Sequence, residues 1–150
     1  MTEAKGSSLS KSCPLRSRST WQTISSFTIG ALFVYAGVMH FLKPKFFMRV
    51  MPPALPLHKE AVLISGFFEI LGGLGMFLPA SLGSPCGSFK SVKRAAGLGL
   101  VALLAAVLPA NIYMASDPAK FAPIPAWVLY LRLPLQFVFM AWVNWASKGK

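Results

Sequence analysis

The chain has 150 residues, of which 55% are hydrophobic and 13% are charged, and its mean hydropathy is +0.58. An average soluble domain has about 25% charged residues, so this composition excludes an ordinary soluble domain and indicates a bilayer as the solvent. The net charge of +11 does not indicate nucleic-acid binding, because the basic residues lie mostly between apolar segments, as in membrane proteins, and do not interleave with stacking aromatics.

The N-terminal residues 1–21 are basic and rich in serine, and they lack the apolar h-region of a secretory signal. We interpret them as a disordered basic tail, with a short organelle transit peptide as the alternative. Residues 147–150 form a second, shorter basic tail. The region between the tails, 22–146, is a single predicted membrane domain.

The membrane domain contains four apolar segments, each about 20 residues long, which matches the hydrocarbon thickness of a bilayer when the segment is helical. An open sheet would leave backbone groups unpaired in lipid, so helix is the only consistent assignment. The predicted helices cover about residues 22–42, 61–79, 95–115 and 126–146. The predicted fold class is therefore all-α membrane, a four-transmembrane-helix bundle with both termini on the same side.

The connections between these segments give an orientation. Lys43-Pro44 ends the first helix, and the following FFMRVM could lie in the interface as a short amphipathic turn. Nine Lys and Arg residues lie in the tails and the second connection, against five in the first and third connections. This bias predicts cytoplasmic termini, in either the plasma membrane or an organelle membrane.

Small residues recur at helical spacing on two of the predicted helices. In the second helix the shared face consists of Ser65, Glu69, Gly72, Gly73 and Met76, and in the third of Gly99, Ala102, Ala106 and Ala110. Small residues allow close approach of helix backbones in lipid. We therefore expect the face that carries Glu69 to pack against another helix and not to face lipid.

Each helix carries at least one residue that lipid would reject, and these residues are His40, Glu69, Asn111, Arg132 and Gln136. Their distances from the side of the first and third connections run from about 3 to about 15 Å. All five are therefore expected in one half of the bilayer, as a polar cluster that is either structural or ligand-binding. No catalytic residue is assigned, and the two histidines and two cysteines have no metal-ligand spacing.

The depths predict an ion pair between Glu69 and Arg132, since pairing would relieve the cost of two lone charges in hydrocarbon. Arg132 and Gln136 are four residues apart and share a helix face. We expect Asn111, Gln136 and His40 to surround the pair. Two interpretations remain open at this point: a pair that only fixes helix register, and a site for a polar headgroup, a quinone or a proton.

Five motifs in order resemble the DoxX-like family of small four-helix membrane proteins: AGVMHFLKPKFF, MPPALP, SGFFEILGGLGMFLP, PANIYM and LRLPLQFVFMAWV. The resemblance covers about residues 27–146, and the five polar residues lie within these motifs. The loop around Cys86 is longer than the short turn typical of the family. The resemblance implies a four-helix fold. Members of the family are linked to thiosulfate:quinone oxidoreduction, to oxidative-stress complexes and, more distantly, to receptor assembly in the secretory pathway, and most have no assigned activity.

Three functions follow as hypotheses. The first is an accessory subunit of a membrane redox system, with no activity of its own and with quinone as a possible ligand. The second is a non-enzymatic assembly factor or chaperone for another membrane protein, and the third is a small transporter or proton pathway. The expected partners are the lipid bilayer and other membrane subunits, with no nucleic acid.

Overall fold

The computed structural model describes residues 19–53, 57–78, 88–122 and 124–148, and for residues 88–91 the backbone alone. Within these ranges the chain is all-helical, with no strand. Four of the helices are long and apolar enough to cross a membrane. The predicted fold class, an all-α membrane protein with four spanning helices, is confirmed. Residues 1–18 of the predicted N-terminal tail, the loop around Cys86 and residues 149–150 lie outside the described residues. Residues 20 and 21 belong to the first helix and Ser147 to the last, so both helices extend into the predicted tails.

The helices are α1 (Thr20–Leu42), α2 (Pro44–Arg49), α3 (His58–Phe77), α4 (Ser88–Ser116) and α5 (Ala126–Ser147), and a 3₁₀ helix (Pro118–Phe121) lies between α4 and α5. The helix α1 ends before Lys43-Pro44, as the sequence predicts, and Pro44 is the first residue of α2. The helix α4 begins at Ser88 and not at residue 95, because the basic residues before Ala95 continue the helix beyond its apolar part. The apolar pattern marks the hydrocarbon-spanning part of a helix and not its full length.

Among the described residues the most extensive helix contact is that between α1 and α3, and glycines make it possible. A Cβ atom built on Gly37 would lie 2.6 Å from the backbone oxygen of Gly66, and one on Gly30 would lie 2.8 Å from that of Gly73. The two pairs are seven residues apart on both helices, so they lie along one contact seam. The face of α3 that carries Glu69 therefore packs against another helix, which is α1. Gly72, which the sequence placed on the same face, lies instead against Leu100 of α4.

The remaining contacts join α4 to α5, α3 to α4, and α1 to α5. The start of α1 meets the end of α5, where the Ser26 hydroxyl donates to the Gln22 carbonyl at 2.8 Å and lies 3.2 Å from the Ala146 carbonyl. All four long helices contribute to a core at this end, made of Ile29, Phe33, Met76, Leu100, Val143 and Ala146.

The opposite end of the bundle has a different core. It contains Met114 of α4, Phe121 of the 3₁₀ helix and Leu129 of α5, with Val50, directly after α2, packed against them. The described residues of this second cluster include none from α1 or α3. Of the predicted polar residues, His40, Asn111 and Arg132 lie toward this end of their helices, whereas Glu69 and Gln136 lie near the middle of α3 and α5. In the described chain α1 contacts α3 and α4 contacts α5.

Candidate functional site

The first polar pair of the site joins α1 to α3. Nδ1 of His40 lies 3.4 Å from Oε2 of Glu69, and both side chains are 11% exposed. The same Nδ1 donates a hydrogen bond of 2.9 Å to the Ala36 carbonyl, which fixes the proton on this nitrogen. Among the described residues Oε2 has no hydrogen-bond partner. The pair therefore places a buried acceptor oxygen beside an imidazole whose N–H is already engaged.

The short helix α2 covers this pair from the direction of the interface. The Phe47 ring stacks on the His40 ring with a centroid distance of 3.8 Å and an interplanar angle of 22°. Pro44 starts α2 immediately after α1, which turns the chain back over the end of α1. The motif that carries His40 and Phe47 thus forms one structural unit that shields Glu69.

The second polar pair joins α4 to α5. Nδ2 of Asn111 donates a hydrogen bond of 2.6 Å to Oε1 of Gln136, and Nε2 of Gln136 donates to the Leu104 carbonyl. Pro109 lies inside α4 and leaves the carbonyl of Ala105, the residue after Leu104, without its usual amide donor. Gln136 therefore links α5 to both the side chains and the backbone of α4.

Arg132 does not pair with Glu69, so the predicted ion pair at the centre of the cluster is wrong. Nη1 of Arg132 lies 3.6 Å from Sδ of Met114, and the side chain is exposed on α5. The physical reason is rotational: Glu69 lies on the face of α3 that packs on α1, while Arg132 lies on α5 beside α4. Similar depth in the bilayer does not place two residues side by side.

The five predicted residues are therefore brought together in two pairs, with Arg132 beside the second. The first pair joins α1 to α3, and the second joins α4 to α5. The described residues contain no group of three or more His, Cys, Asp or Glu side chains that could hold a metal ion. The chemistry available to the first pair is hydrogen bonding to the Glu69 oxygen, since the His40 N–H that faces it is directed at the Ala36 carbonyl.

A wide apolar groove lies on the other face of α3, between α3 and α4. Its volume is about 850 Å³, and Phe68, Leu71, Gly99, Ala102 and Ala106 are among its lining residues. A Cβ atom built on Gly99 would have no neighbour within 4 Å. Three of the four small residues of α4 that the sequence predicts as a packing face, Gly99, Ala102 and Ala106, thus line an open groove in the described chain.

Sequence reasoning missed a polar network at the end where α1 and α5 meet. Nη1 of Arg94 donates to Oδ1 of Asn144 at 2.9 Å and to Oγ of Ser147 at 2.8 Å. Gln22 and Ser26 are buried nearby at the start of α1. Their spacing of four residues on one face of α1 is the signal that could have identified them.

One protein-family model matches residues 29–147, and its description is a domain of unknown function, DUF8561. Neither the comparison with curated proteins nor that with solved structures finds a match to the chain. The matched residues run from the middle of α1 to the end of α5 and include both polar pairs and the groove. The chain therefore belongs to the DUF8561 family of domains of unknown function.

Proposed function

We propose that this chain is a DoxX-like accessory subunit of a quinone-linked membrane redox system, and that it holds the hydrocarbon tail of the quinone. The sequence motifs that contain His40, Glu69, Asn111 and Arg132 follow one another in the same order as in the DoxX-like family, and this order supports the assignment. The groove between α3 and α4 is the observation that carries the binding role. Its volume of about 850 Å³ falls within the usual range of ligand pockets, roughly 300 to 1,000 Å³.

The lining of the groove favours a hydrocarbon chain over a polar ligand. Every lining residue is Phe, Leu, Val, Ala or Gly, so the groove offers no side chain that could hydrogen-bond a headgroup. It is open along the bundle surface, where an isoprenoid tail could enter from the lipid. Binding by this surface relies on contact area and shape.

The polar pairs support an accessory role over a catalytic one. His40 and Glu69 lie on the α1 side of α3, away from the groove, and Asn111 and Gln136 bond to each other between α4 and α5. None of these four side chains lines the groove. The redox chemistry is therefore assigned to a partner subunit, with this chain positioning the tail.

Mass spectrometry of the gently extracted protein tests the proposal by measuring the amount of quinone that copurifies. Gly99→Leu should lower this amount several-fold, because it fills the groove where a side chain meets no neighbour. Ala105→Leu is the matched control, since Ala105 is exposed on the same helix but does not line the groove. Absence of quinone from the native protein, or equal retention by both variants, contradicts the proposal.

The second candidate function is a non-enzymatic assembly factor for another membrane protein. The observation that favours it is the open row Gly99, Ala102 and Ala106, since small residues also admit a partner helix. A photo-crosslinking residue at position 102 separates the candidates. An adduct with a quinone supports the redox subunit, whereas a reproducible adduct with one membrane protein supports the assembly factor.

We further infer that both termini are cytoplasmic, in a plasma or organelle membrane. The excess of Lys and Arg in the tails and the second connection supports this orientation. The contact between the start of α1 and the end of α5, where Nε2 of Gln22 lies 3.4 Å from the Lys148 carbonyl, supports placing both ends on one side.

A further inference from the structure

A second cavity lies where α2, the end of α4 and the 3₁₀ helix meet. Its volume is about 210 Å³, and its lining combines two cations with aromatic rings. The lining residues are Phe46, Arg49, Val50, Tyr113, Lys120, Phe121, Ala122 and Ile124. We call this cavity the interfacial pocket, and none of the polar residues discussed above belongs to it.

The floor of the interfacial pocket is held by packed side chains. The rings of Tyr113 and Phe121 meet edge to face, with centroids 5.7 Å apart. Phe121 is buried in the core cluster that also contains Met114 and Leu129, and Val50 packs against that cluster. The pocket is thus anchored to the bundle, while its two cationic side chains are exposed.

The charge balance of the interfacial pocket is positive. Nζ of Lys120 lies 2.7 Å from Oδ2 of Asp117, and this hydrogen bond and the charge of Asp117 raise the pKa of Lys120. Lys120 is therefore a cation at neutral pH, with two further N–H donors beyond the one directed at Asp117. Arg49 adds a second cation, so these three groups carry a net charge of +1.

The pocket lies at the level of the bilayer headgroups. Arg49 is the last residue of α2, which starts two residues after α1 ends, and Lys120 follows four residues after the end of α4. Positions just beyond the ends of membrane-spanning helices lie in the interface, where lipid phosphates are found. An arginine guanidinium and a lysine ammonium together are well suited to phosphate oxygens.

We propose that the interfacial pocket binds a phosphate group, with Arg49 and Lys120 as its ligands and the rings of Phe46, Tyr113 and Phe121 packing against the atoms attached to it. The group can come from an anionic lipid headgroup or from solution. This site is independent of the quinone proposal, since it lies outside the groove and uses none of its residues.

Native mass spectrometry of the full chain in nanodiscs of phosphatidylcholine and phosphatidic acid tests the site. The measured quantity is the amount of phosphatidic acid retained relative to phosphatidylcholine. The double variant Arg49→Gln/Lys120→Gln should lower this preference about tenfold, the loss expected from removing charge-assisted hydrogen bonds. Lys59→Gln is the control, because it removes a charge near the start of α3 without touching the pocket.

Asp117→Asn should change the retention of phosphatidic acid in the opposite direction to the double variant, and misfolding would not produce a gain. Removing the carboxylate that competes for Lys120 should raise retention of phosphatidic acid. Equal losses in the double variant and in Lys59→Gln, or no gain in Asp117→Asn, overturn the proposal.

A thermal shift in detergent with inorganic phosphate then identifies the source. Stabilisation of the native chain that the double variant loses shows that free phosphate also fits, whereas retention of phosphatidic acid without such a shift assigns the site to a lipid headgroup.

Discussion

His40 and Glu69 face each other across the α1–α3 seam, with 3.4 Å between Nδ1 and Oε2, while the Nδ1 proton is directed at the Ala36 carbonyl. The contact is therefore electrostatic and not a hydrogen bond between the two side chains. Because both residues are buried, each is the principal polar neighbour that the other has across the seam. Removing one should leave the other in an apolar surrounding.

We predict an interaction free energy of about 1 to 3 kcal/mol between His40 and Glu69 in a double-mutant cycle. His40→Leu and Glu69→Leu should each lower the free energy of unfolding, and the double variant should cost less than the sum of the two. Reversible unfolding in detergent measures all four proteins. Additive losses would show that the two side chains do not interact.

The cycle of Glu69→Leu with Arg132→Leu is the control for this experiment. Arg132 lies beside Met114 on the other helix pair, so the two losses should add within about 0.5 kcal/mol. A large interaction free energy between these two residues would support the ion pair that the sequence predicts and would contradict the structure.

The glycine seam between α1 and α3 should be intolerant of added side chains. A Cβ on Gly66 would lie 2.6 Å from Cβ of His40 and 3.0 Å from the Gly37 carbonyl oxygen, and both neighbours are on α1. Gly66→Ala should lower the free energy of unfolding by about 1 to 3 kcal/mol, as overpacking usually does. It should also weaken the His40–Glu69 coupling, since His40 must move.

Gly99→Ala is the matched control for Gly66→Ala. No atom lies within 4 Å of a Cβ built there, so only helix propensity changes, which favours alanine by up to about 1 kcal/mol. Unfolding measured under the same detergent conditions should show Gly99→Ala unchanged or stabilised. Equal destabilisation of both variants would mean that the seam is not closely packed.

The sequence was sufficient to predict the four spans and the buried face of α3. Apolar runs of about 20 residues have one stable form in lipid, and the spacing of Gly73 and Glu69 places them on one face. Depth along a helix also follows from residue number, but only once the helix bounds are known: α3 begins at His58, so Glu69 lies near the middle of α3 and not close to one end.

The partners of those residues could not be predicted, because depth is one coordinate and rotation about the helix axis is another. Glu69 and Arg132 have similar predicted depths, but the order of helices around the bundle assigns them to different pairs. The small residues of α4 are a second example. Their spacing predicts that an apolar group packs closely against Gly99 and Ala102, but it does not show which group. The fold shows that no helix of the described chain fills the groove.

Gln136 should matter more to stability than Asn111. Gln136→Leu removes the hydrogen bonds to Asn111 and to the Leu104 carbonyl, whereas Asn111→Leu removes only the first. Interhelical hydrogen bonds in membranes average about 0.6 kcal/mol and reach about 1.7. We therefore expect a loss of about 1 to 2 kcal/mol for Gln136→Leu and about half as much for Asn111→Leu in unfolding experiments.

A reversed order would mean that the amide pair is not the main link between α4 and α5. Leu135→Ala is a useful reference, because Leu135 is exposed on the same helix and its side chain makes no hydrogen bond. Its effect measures the background cost of a substitution on α5.

The orientation of the chain can be tested with single cysteines in a background that carries Cys13→Ser and Cys86→Ser. Lys148→Cys, at the end of α5, should react with a membrane-impermeant maleimide from the cytoplasmic side. Lys120→Cys, in the 3₁₀ helix between α4 and α5, should react from the opposite side, because one span separates the two positions. Both positions are exposed, so burial does not limit either reaction. If both cysteines react from the same side, α5 does not span the membrane. If Lys120→Cys reacts from the cytoplasmic side and Lys148→Cys from the opposite side, the orientation that the Lys and Arg distribution predicts is wrong.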